Sequence, residues 1–301
     1  MNQECALPFI IKKYKVTIGK KIQLALIQDL SLNKKILQRY LSRGRIFDSQ
    51  NIAYQISDII KEEYIYVAEF EGHTRGLKPL LEFNDFAVFD KPSNLMVHPI
   101  SKKTKYSLLD EIRYFFGENA NLAHRIDAET SGLVLVSKNK KSELILKTMF
   151  QDKLYKKSYL ALVEGKVQSS IKIDSGIKKE KGNIGVKMMV AVDGKESLTT
   201  INPIKYYEDK NQSLVQAIPL TGRQHQIRVH LESIGHRIVG DPIYGVSEKI
   251  ADDYLCKTLS KEDRIKLTGS FRLWLHAEYL EFDYKNVTYK LFSQNRDIWD
   301  A

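Results

Sequence analysis

Asp127 lies two residues after Arg125 in the run His124-Arg125-Ile126-Asp127-Ala128-Glu129-Thr130-Ser131-Gly132, and the apolar stretch Leu133-Val134-Leu135-Val136 follows directly. A carboxylate in a turn-rich segment that feeds a buried strand sits on rigid scaffold at the lip of a cleft. In its ionised form it can attack or stabilise an electron-poor carbon. Two further segments carry side chains of chemical interest: Lys157-Ser158-Tyr159 and Thr221-Gly222-Arg223-Gln224-His225-Gln226-Ile227-Arg228-Val229-His230. Guanidinium groups are planar and permanently charged, so Arg223 and Arg228 suit a carboxylate or a phosphate. Each residue also has a plainer reading. An aspartate before Thr-Ser-Gly serves turn or cap chemistry, Tyr159 between apolar neighbours serves a core with its hydroxyl bonded, and the arginines serve ion pairs. His225, His230 and His236 form no His-x-x-x-His pair, and no cysteine joins them in sequence, so no metal is expected.

The elements that position these residues are legible in outline. Phe86-Ala87-Val88-Phe89 reads as a buried strand that stops at Asp90-Lys91-Pro92. Residues 106–116 and 142–151 have helical periodicity, while 159–163, 214–218 and 227–230 read as strands. The lysine- and glycine-rich stretch 178–185 reads as a mobile loop. Strands without a regular strand–helix alternation predict an α+β domain with a mixed, largely antiparallel sheet and flanking helices. Residues 1–72 read as a small separate module, 73–78 as a linker with glycine punctuation, and 79–301 as the main domain. Within the module, Asn33 to Arg45 holds Lys34, Lys35, Arg39, Arg43 and Arg45 without one acidic residue. Its apolar residues Ile36, Leu37, Tyr40 and Leu41 fall at helical spacing, so one face packs and the other is cationic. Arg43-Gly44-Arg45 ends that helix in a glycine cap.

The 301 residues carry 47 Lys and Arg against 37 Asp and Glu, a net charge of +10 that points to a polyanionic partner. No strongly amphipathic basic helix stands out, which puts nucleic acid ahead of a membrane surface. Cys5 and Cys256 are too few for a disulfide framework or a cysteine-built zinc site. No apolar run approaches the roughly 20 residues of a membrane span. The order of charge and apolar residues in 1–13 does not fit a secretory signal, and a cytoplasmic protein is expected.

Taken together, His-Arg-Ile-Asp-Ala-Glu-Thr-Ser-Gly, Lys-Ser-Tyr and Thr-Gly-Arg-Gln-His-Gln-Ile-Arg resemble the RluA-type RNA pseudouridine synthases. So do Lys91-Pro92…Val97-His98-Pro99, Gly235-His236…Gly240-Asp241…Tyr244-Gly245 and Leu275-His276-Ala277, and the resemblance covers roughly 80–282. It implies isomerisation of uridine in RNA without a cofactor, with Asp127 as the catalytic carboxylate and Ile126 in place of the usual leucine. A carboxylate in a closed pocket resists ionisation, and a nearby cation offsets this. The resemblance makes Arg223 that cation, Tyr159 the ring against the flipped uracil, and Arg125 the residue that fills the space left by the extruded base. Arg228 is expected to contact RNA. Ser93-Asn94-Leu95-Met96 departs from the family, which carries a small residue and glycine there.

The N-terminal module resembles an S4-type RNA-binding domain, with Lys34, Lys35, Arg39, Arg43 and Arg45 toward RNA. It lacks the Asn-Gly turn of that family at 48–52. A monomer is expected, acting on large-subunit ribosomal RNA first and transfer RNA second. The rivals are a nucleic-acid glycosylase, which would release free base, and a non-catalytic RNA-binding or ribosome-assembly factor.

Overall fold

The computed structural model describes residues 9–99, 104–182, 184–295 and 297–298, except the side chains of Lys35 and Phe70. Cys5 lies outside the described residues, and Cys256 is an exposed thiol. The chain forms two compact units: Met1–Gly76 with His98–Glu118, and Leu77–Val97 with Asn119–Ala301. Among the described residues no helix is long and apolar enough to cross a membrane.

The first unit contains β1 (Phe9–Lys15), α1 (Ile22–Gln28), α2 (Lys34–Ser42), β2 (Ile46–Phe47), β3 (Tyr64–Phe70) and α3 (Leu108–Phe116). Its strands form an antiparallel sheet in the order β1-β3-β2. Ile22, Leu26, Leu37, Ile46, Ile65 and Val67 are the heart of its core. Helix α2 starts where Asn33 accepts the Ile36 N–H at 2.9 Å. It ends as its sequence predicts: Gly44 takes φ +57, its N–H reaches Leu41 O, and the Arg45 N–H reaches Tyr40 O, each at 2.9 Å. An L side chain in that conformation is strained. Gly44→Ala is expected to weaken this unit by about 1–2 kcal/mol, seen as faster hydrogen exchange in α2 and β3 with exchange in the second unit unchanged.

Helix α3 was expected in the main domain, and it groups instead with the first unit. The reason is visible at its N-terminal side. A Cβ on Gly72 would sit 2.5 Å from Asp110 O and 2.9 Å from Arg113 Cβ, and the Arg75 N–H donates to Glu111 at 2.6 Å. Much of the anticipated linker is therefore strapped to α3, through contacts too distant in sequence to be read locally.

The second unit comprises β4 (Leu81–Glu82), β5 (Phe86–Lys91), β6 (Asn121–Leu122), β7 (Ser131–Ser137), α4 (Lys140–Gln151), β8 (Tyr155–Glu164), β9 (Ile171–Asp174), β10 (Ile177–Lys179), β11 (Met188–Val190), β12 (Leu198–Tyr207), β13 (Gln212–Pro219), α5 (Gln226–Ser233), α6 (Glu248–Leu255), α7 (Lys261–Thr268), β14 (Leu275–Tyr284) and β15 (Val287–Phe292). A sheet runs β4-β5-β7-β14-β8-β13-β12-β9, with β15 on β14 and β6 on β7. Among the described residues only the β7–β14 pairing is parallel, so the α+β, largely antiparallel expectation holds. All seven residues of β7 are buried, which explains its unbroken apolar run.

Where β7 meets β14, Gly132 has φ +106 and an added Cβ would lie 2.6 Å from Ala277 N. Only glycine lets the two backbones approach so closely. Two local expectations are corrected. Residues 227–230 belong to helix α5, whose Ile227, Arg228, Val229, His230 and Leu231 are all buried. A helix buried on every side loses its amphipathic period, and the alternation of apolar and polar residues mimics a strand. Of the expected loop 178–185 only Lys178 and Lys179 lie in a strand: Ile177–Lys179 pairs with Met188–Val190, and the other described residues of the stretch connect these two strands.

Candidate active site

Asp127 stands in the turn that enters β7, its own carbonyl accepting the Thr130 N–H at 3.2 Å. The turn is braced from below. Lys91 is almost fully buried, and its Nζ donates to Ala128 O and Pro92 O at 2.9 Å. Burial pushes its ammonium down to about 7, against the pull of Asp127 and Glu129. Ser93 Oγ donates to Glu129 O at 2.6 Å, and Arg264 pairs with the Glu129 carboxylate at 2.6 Å while donating to Gly240 O at 2.9 Å. Tyr254 also donates to Glu129. The departure at 93–96 is accommodated because Asn94 adopts φ +65, a conformation asparagine tolerates better than most residues.

The Asp127 side chain remains about a third exposed, and its Oδ2 lies 3.6 Å from Arg228 Nη1 and 3.9 Å from His225 Nε2. Arg228 has 2% of its side chain exposed, so it is not the surface phosphate contact expected from sequence. Its Nε and Nη2 donate to the two oxygens of Asp241, each at 2.7 Å. Asp241 Oδ1 also accepts the N–H groups of Ile243 and Tyr244. Burial opposes both charges, yet the pairing wins: Arg228 is held above the usual arginine range and Asp241 below the usual carboxylate range. Gly240, at φ +79, makes this geometry possible, since a Cβ there would collide with Arg272 O.

Arg223 does not fill the role the resemblance implied. Its Nε donates to Glu196 O at 3.1 Å, and the arginine within 4 Å of Asp127 is Arg228. The loop that carries Arg223 is organised by Gln226, whose Oε1 accepts from Thr221 Oγ1 at 2.7 Å and from the Arg223 N–H at 3.0 Å. Arg223, Arg125, Lys157 and Tyr159 all line the pocket around Asp127. Tyr159 is both core and lining: 8% exposed, it faces Ala217 on β13 and Ala277 on β14, small neighbours that leave its ring a slot. Burial, helped by Asp127, pushes its hydroxyl above the usual tyrosine range.

His225 takes φ +55 at the start of α5 and its Nδ1 lies 2.8 Å from the Tyr244 hydroxyl. That hydroxyl also accepts the Met188 N–H at 3.0 Å. Burial, then Arg228, pushes His225 down to about 4. The ring is thus neutral at neutral pH, with its Nε2 3.9 Å from Asp127 Oδ2. His230 and His236 are engaged elsewhere, at Thr199 and Ser175 and at Glu164.

Burial likewise depresses His124 to about 3 and His276 to about 4. Folded-state values below the unfolded one mean that unfolding takes up protons as pH falls below about 6.5. Stability should therefore be lost between about pH 6.5 and 4.5, by up to about 2.7 kcal/mol for each of the three histidines. Denaturant unfolding across that range checks this, and a flat profile would contradict it.

Sequence reading did not single out Asp241, Gln226 or Tyr244 for a role, although Asp241 and Tyr244 stand in motif strings and Gln226 in the long one. A carboxylate after a glycine was a local signal for Asp241; its partnership with Arg228 was not. A family model described as RNA pseudouridylate synthase matches residues 85–233, which include Asp127, Tyr159, Arg223 and Arg228. An uncharacterised RNA pseudouridine synthase of Helicobacter pylori is 38% identical over 290 residues, spanning 95% of this chain and 94% of that protein. Ribosomal large subunit pseudouridine synthase D of Pseudomonas aeruginosa is 31% identical over 246 residues, 75% of this chain and 72% of its own. The solved structure of human RNA pseudouridylate synthase domain containing 1 superposes with a TM-score of 0.59 at 26% identity, over 76% of this chain and 87% of the human one. Identity of 38% along 95% of the chain, with a family model over the residues that carry Asp127, Tyr159, Arg223 and Arg228, makes this protein a member of the RNA pseudouridylate synthase family.

Proposed function

We propose that this chain converts one or a few uridines of a structured RNA to pseudouridine, with Asp127 as the nucleophile. Large-subunit ribosomal RNA is the favoured substrate, as in the name of the Pseudomonas relative, and transfer RNA the alternative. One observation carries the reading: a single pocket carboxylate beside a cation whose best donors are already committed to Asp241. At 3.6 Å, Arg228 stabilises the charge of Asp127 without capturing its lone pairs in a hydrogen bond. That leaves an oxygen free to act on carbon.

In the reaction the N1–C1′ bond breaks, C1′ becomes electron-poor, and Asp127 either bonds to C1′ or removes the 2′ proton to give a glycal. Carboxylates act on sugar carbons in this way in glycoside hydrolysis. The uracil then turns and C5 bonds to C1′ as the bond to Asp127 breaks, or as the 2′ proton returns to C2′ on the glycal route; a proton leaves C5 and N1 gains one. No electron is gained or lost, so the chemistry requires no redox cofactor. Tyr159 lies against the base, where stacking contributes about 1–3 kcal/mol. Exposed Arg125 fills the gap in the RNA stack, and Arg223 at the pocket wall contacts the RNA backbone.

We assign the first unit an S4-like role in holding RNA through Lys34, Lys35, Arg39, Arg43 and Arg45. Support comes from the crowding of cations: Arg45 is pushed down to about 10 by burial and by Arg43, Arg39 and Arg113. The Lys35 side chain lies outside the described residues. Arg45 is half-buried over Phe9, 4.6 Å from the ring centre, so Lys34, Arg39 and Arg43 carry most of the contact. We propose a cytoplasmic monomer as the acting form. The test is tritium release from a large-subunit ribosomal RNA transcript made with [5-³H]uridine. Release with no free uracil supports the reading; free uracil points to a glycosylase, and no release from ribosomal or transfer RNA overturns it.

A further inference from the structure

Lys157 lines the pocket around Asp127 and also the wall of an adjoining groove of about 690 Å³, which shares Pro219 and Thr221 with it. Two residues before Tyr159 in β8, it extends to the same face of the sheet. Its Nζ has two ring neighbours, Tyr155 and Tyr159, with centres at 5.2 and 5.9 Å. Among the described residues no hydrogen bond or ion pair reaches this ammonium. Other lysines differ: its neighbour Lys156 pairs with Glu281 at 2.7 Å, and buried Lys91 donates to two carbonyls.

Asp127 does not serve as its counter-ion; the groups within 4 Å of that carboxylate are Arg228 and His225. A desolvated ammonium is costly until an anion approaches it. Burial accordingly pushes Lys157 down to about 8, with no carboxylate opposing the effect. The groove beyond it offers Leu198, Ile218 and Leu220 along one side, apolar surface suited to a splayed base.

We propose that Lys157 receives the phosphate that joins the target uridine to its neighbour, at the point where the RNA strand passes from pocket to groove. This rests on the reading that the substrate is uridine in RNA. The residue is a substrate contact that positions the sugar over Asp127, not the carrier of a proton.

The test is kcat and KM by tritium release on the same ribosomal RNA transcript, for native enzyme, Lys157→Met and Lys157→Arg, over about 50–400 mM salt. Lys157→Met is expected to lower kcat/KM by about 10–100-fold, mostly through KM, and to make its logarithmic salt slope shallower by about 0.7, one single-strand phosphate contact. Lys157→Arg should keep the native slope and stay within about threefold. The native KM should rise above about pH 8, and the arginine variant should lack that rise. An unchanged salt slope in Lys157→Met, or a loss of kcat in both variants with KM retained, overturns the proposal while native turnover still supports the uridine reading. Inert native enzyme overturns both.

Discussion

Asp127→Asn will bind RNA within about threefold of the native protein and form pseudouridine at less than about one ten-thousandth of its rate, a loss of at least about 5.5 kcal/mol in transition-state stabilisation. The amide keeps the shape and the hydrogen-bonding length of the carboxylate but not its charge. It can neither form an ester-like bond to C1′ nor accept the 2′ proton. The fold should hardly notice: the side chain is 31% exposed, and Arg228 keeps its two bonds to Asp241. Calorimetry should show a Tm within about 3 °C of native, consistent with the loss of roughly 1 kcal/mol or less from a part-exposed pair. Residual isomerisation well above background would mean that another group does the chemistry.

Asp241→Asn will act in the opposite order, on the fold first and on the chemistry through it. Arg228 and Asp241 are at most 2% exposed, and removing one charge leaves the other buried without compensation. Breaking such a pair costs about 3–5 kcal/mol, which for a unit of this size lowers Tm by roughly 6–20 °C. The freed guanidinium then turns to the one carboxylate within reach, Asp127, 3.6 Å away. A short, bidentate bond there would occupy the lone pairs that the reaction needs. Turnover should therefore fall by about 100-fold or more even at a temperature where the variant is folded. A variant with depressed Tm and native kcat would show that the pair serves stability alone.

Much of this arrangement is visible in particular residues of the sequence. The apolar run after Ser131-Gly132 announces a central strand, and the glycine at 44 announces the end of α2. Asp127 stands out because it is a carboxylate in a turn feeding that strand, and the motif around it carries the family. Arg228 was misread because its helix is buried on every side, so its residues alternate as in a strand. Its partner Asp241 sits 13 residues later, beyond a turn whose closeness depends on Gly240 packing against the backbone of Arg272. Nothing local encodes that distance, and the choice of Arg223 rested on the resemblance alone. Tyr159 shows the converse. Core and pocket readings were set against each other, and both describe a ring with 8% of its surface open. That the loop 178–185 begins inside strand β10 was not legible, because the partner strand β11 starts only at Met188 and is anchored by its N–H on Tyr244, 56 residues away.

The central claim is that one carboxylate, Asp127, isomerises uridine in RNA, and the most direct measurement is carbodiimide-based pseudouridine mapping across total ribosomal and transfer RNA. Three strains are compared: native, lacking the protein, and carrying Asp127→Asn. The expected result is one or a few pseudouridines, in large-subunit ribosomal RNA first of all, present in the native strain and missing from both others. Maps that are identical in all three strains, or sites that survive in the Asp127→Asn strain, would contradict it.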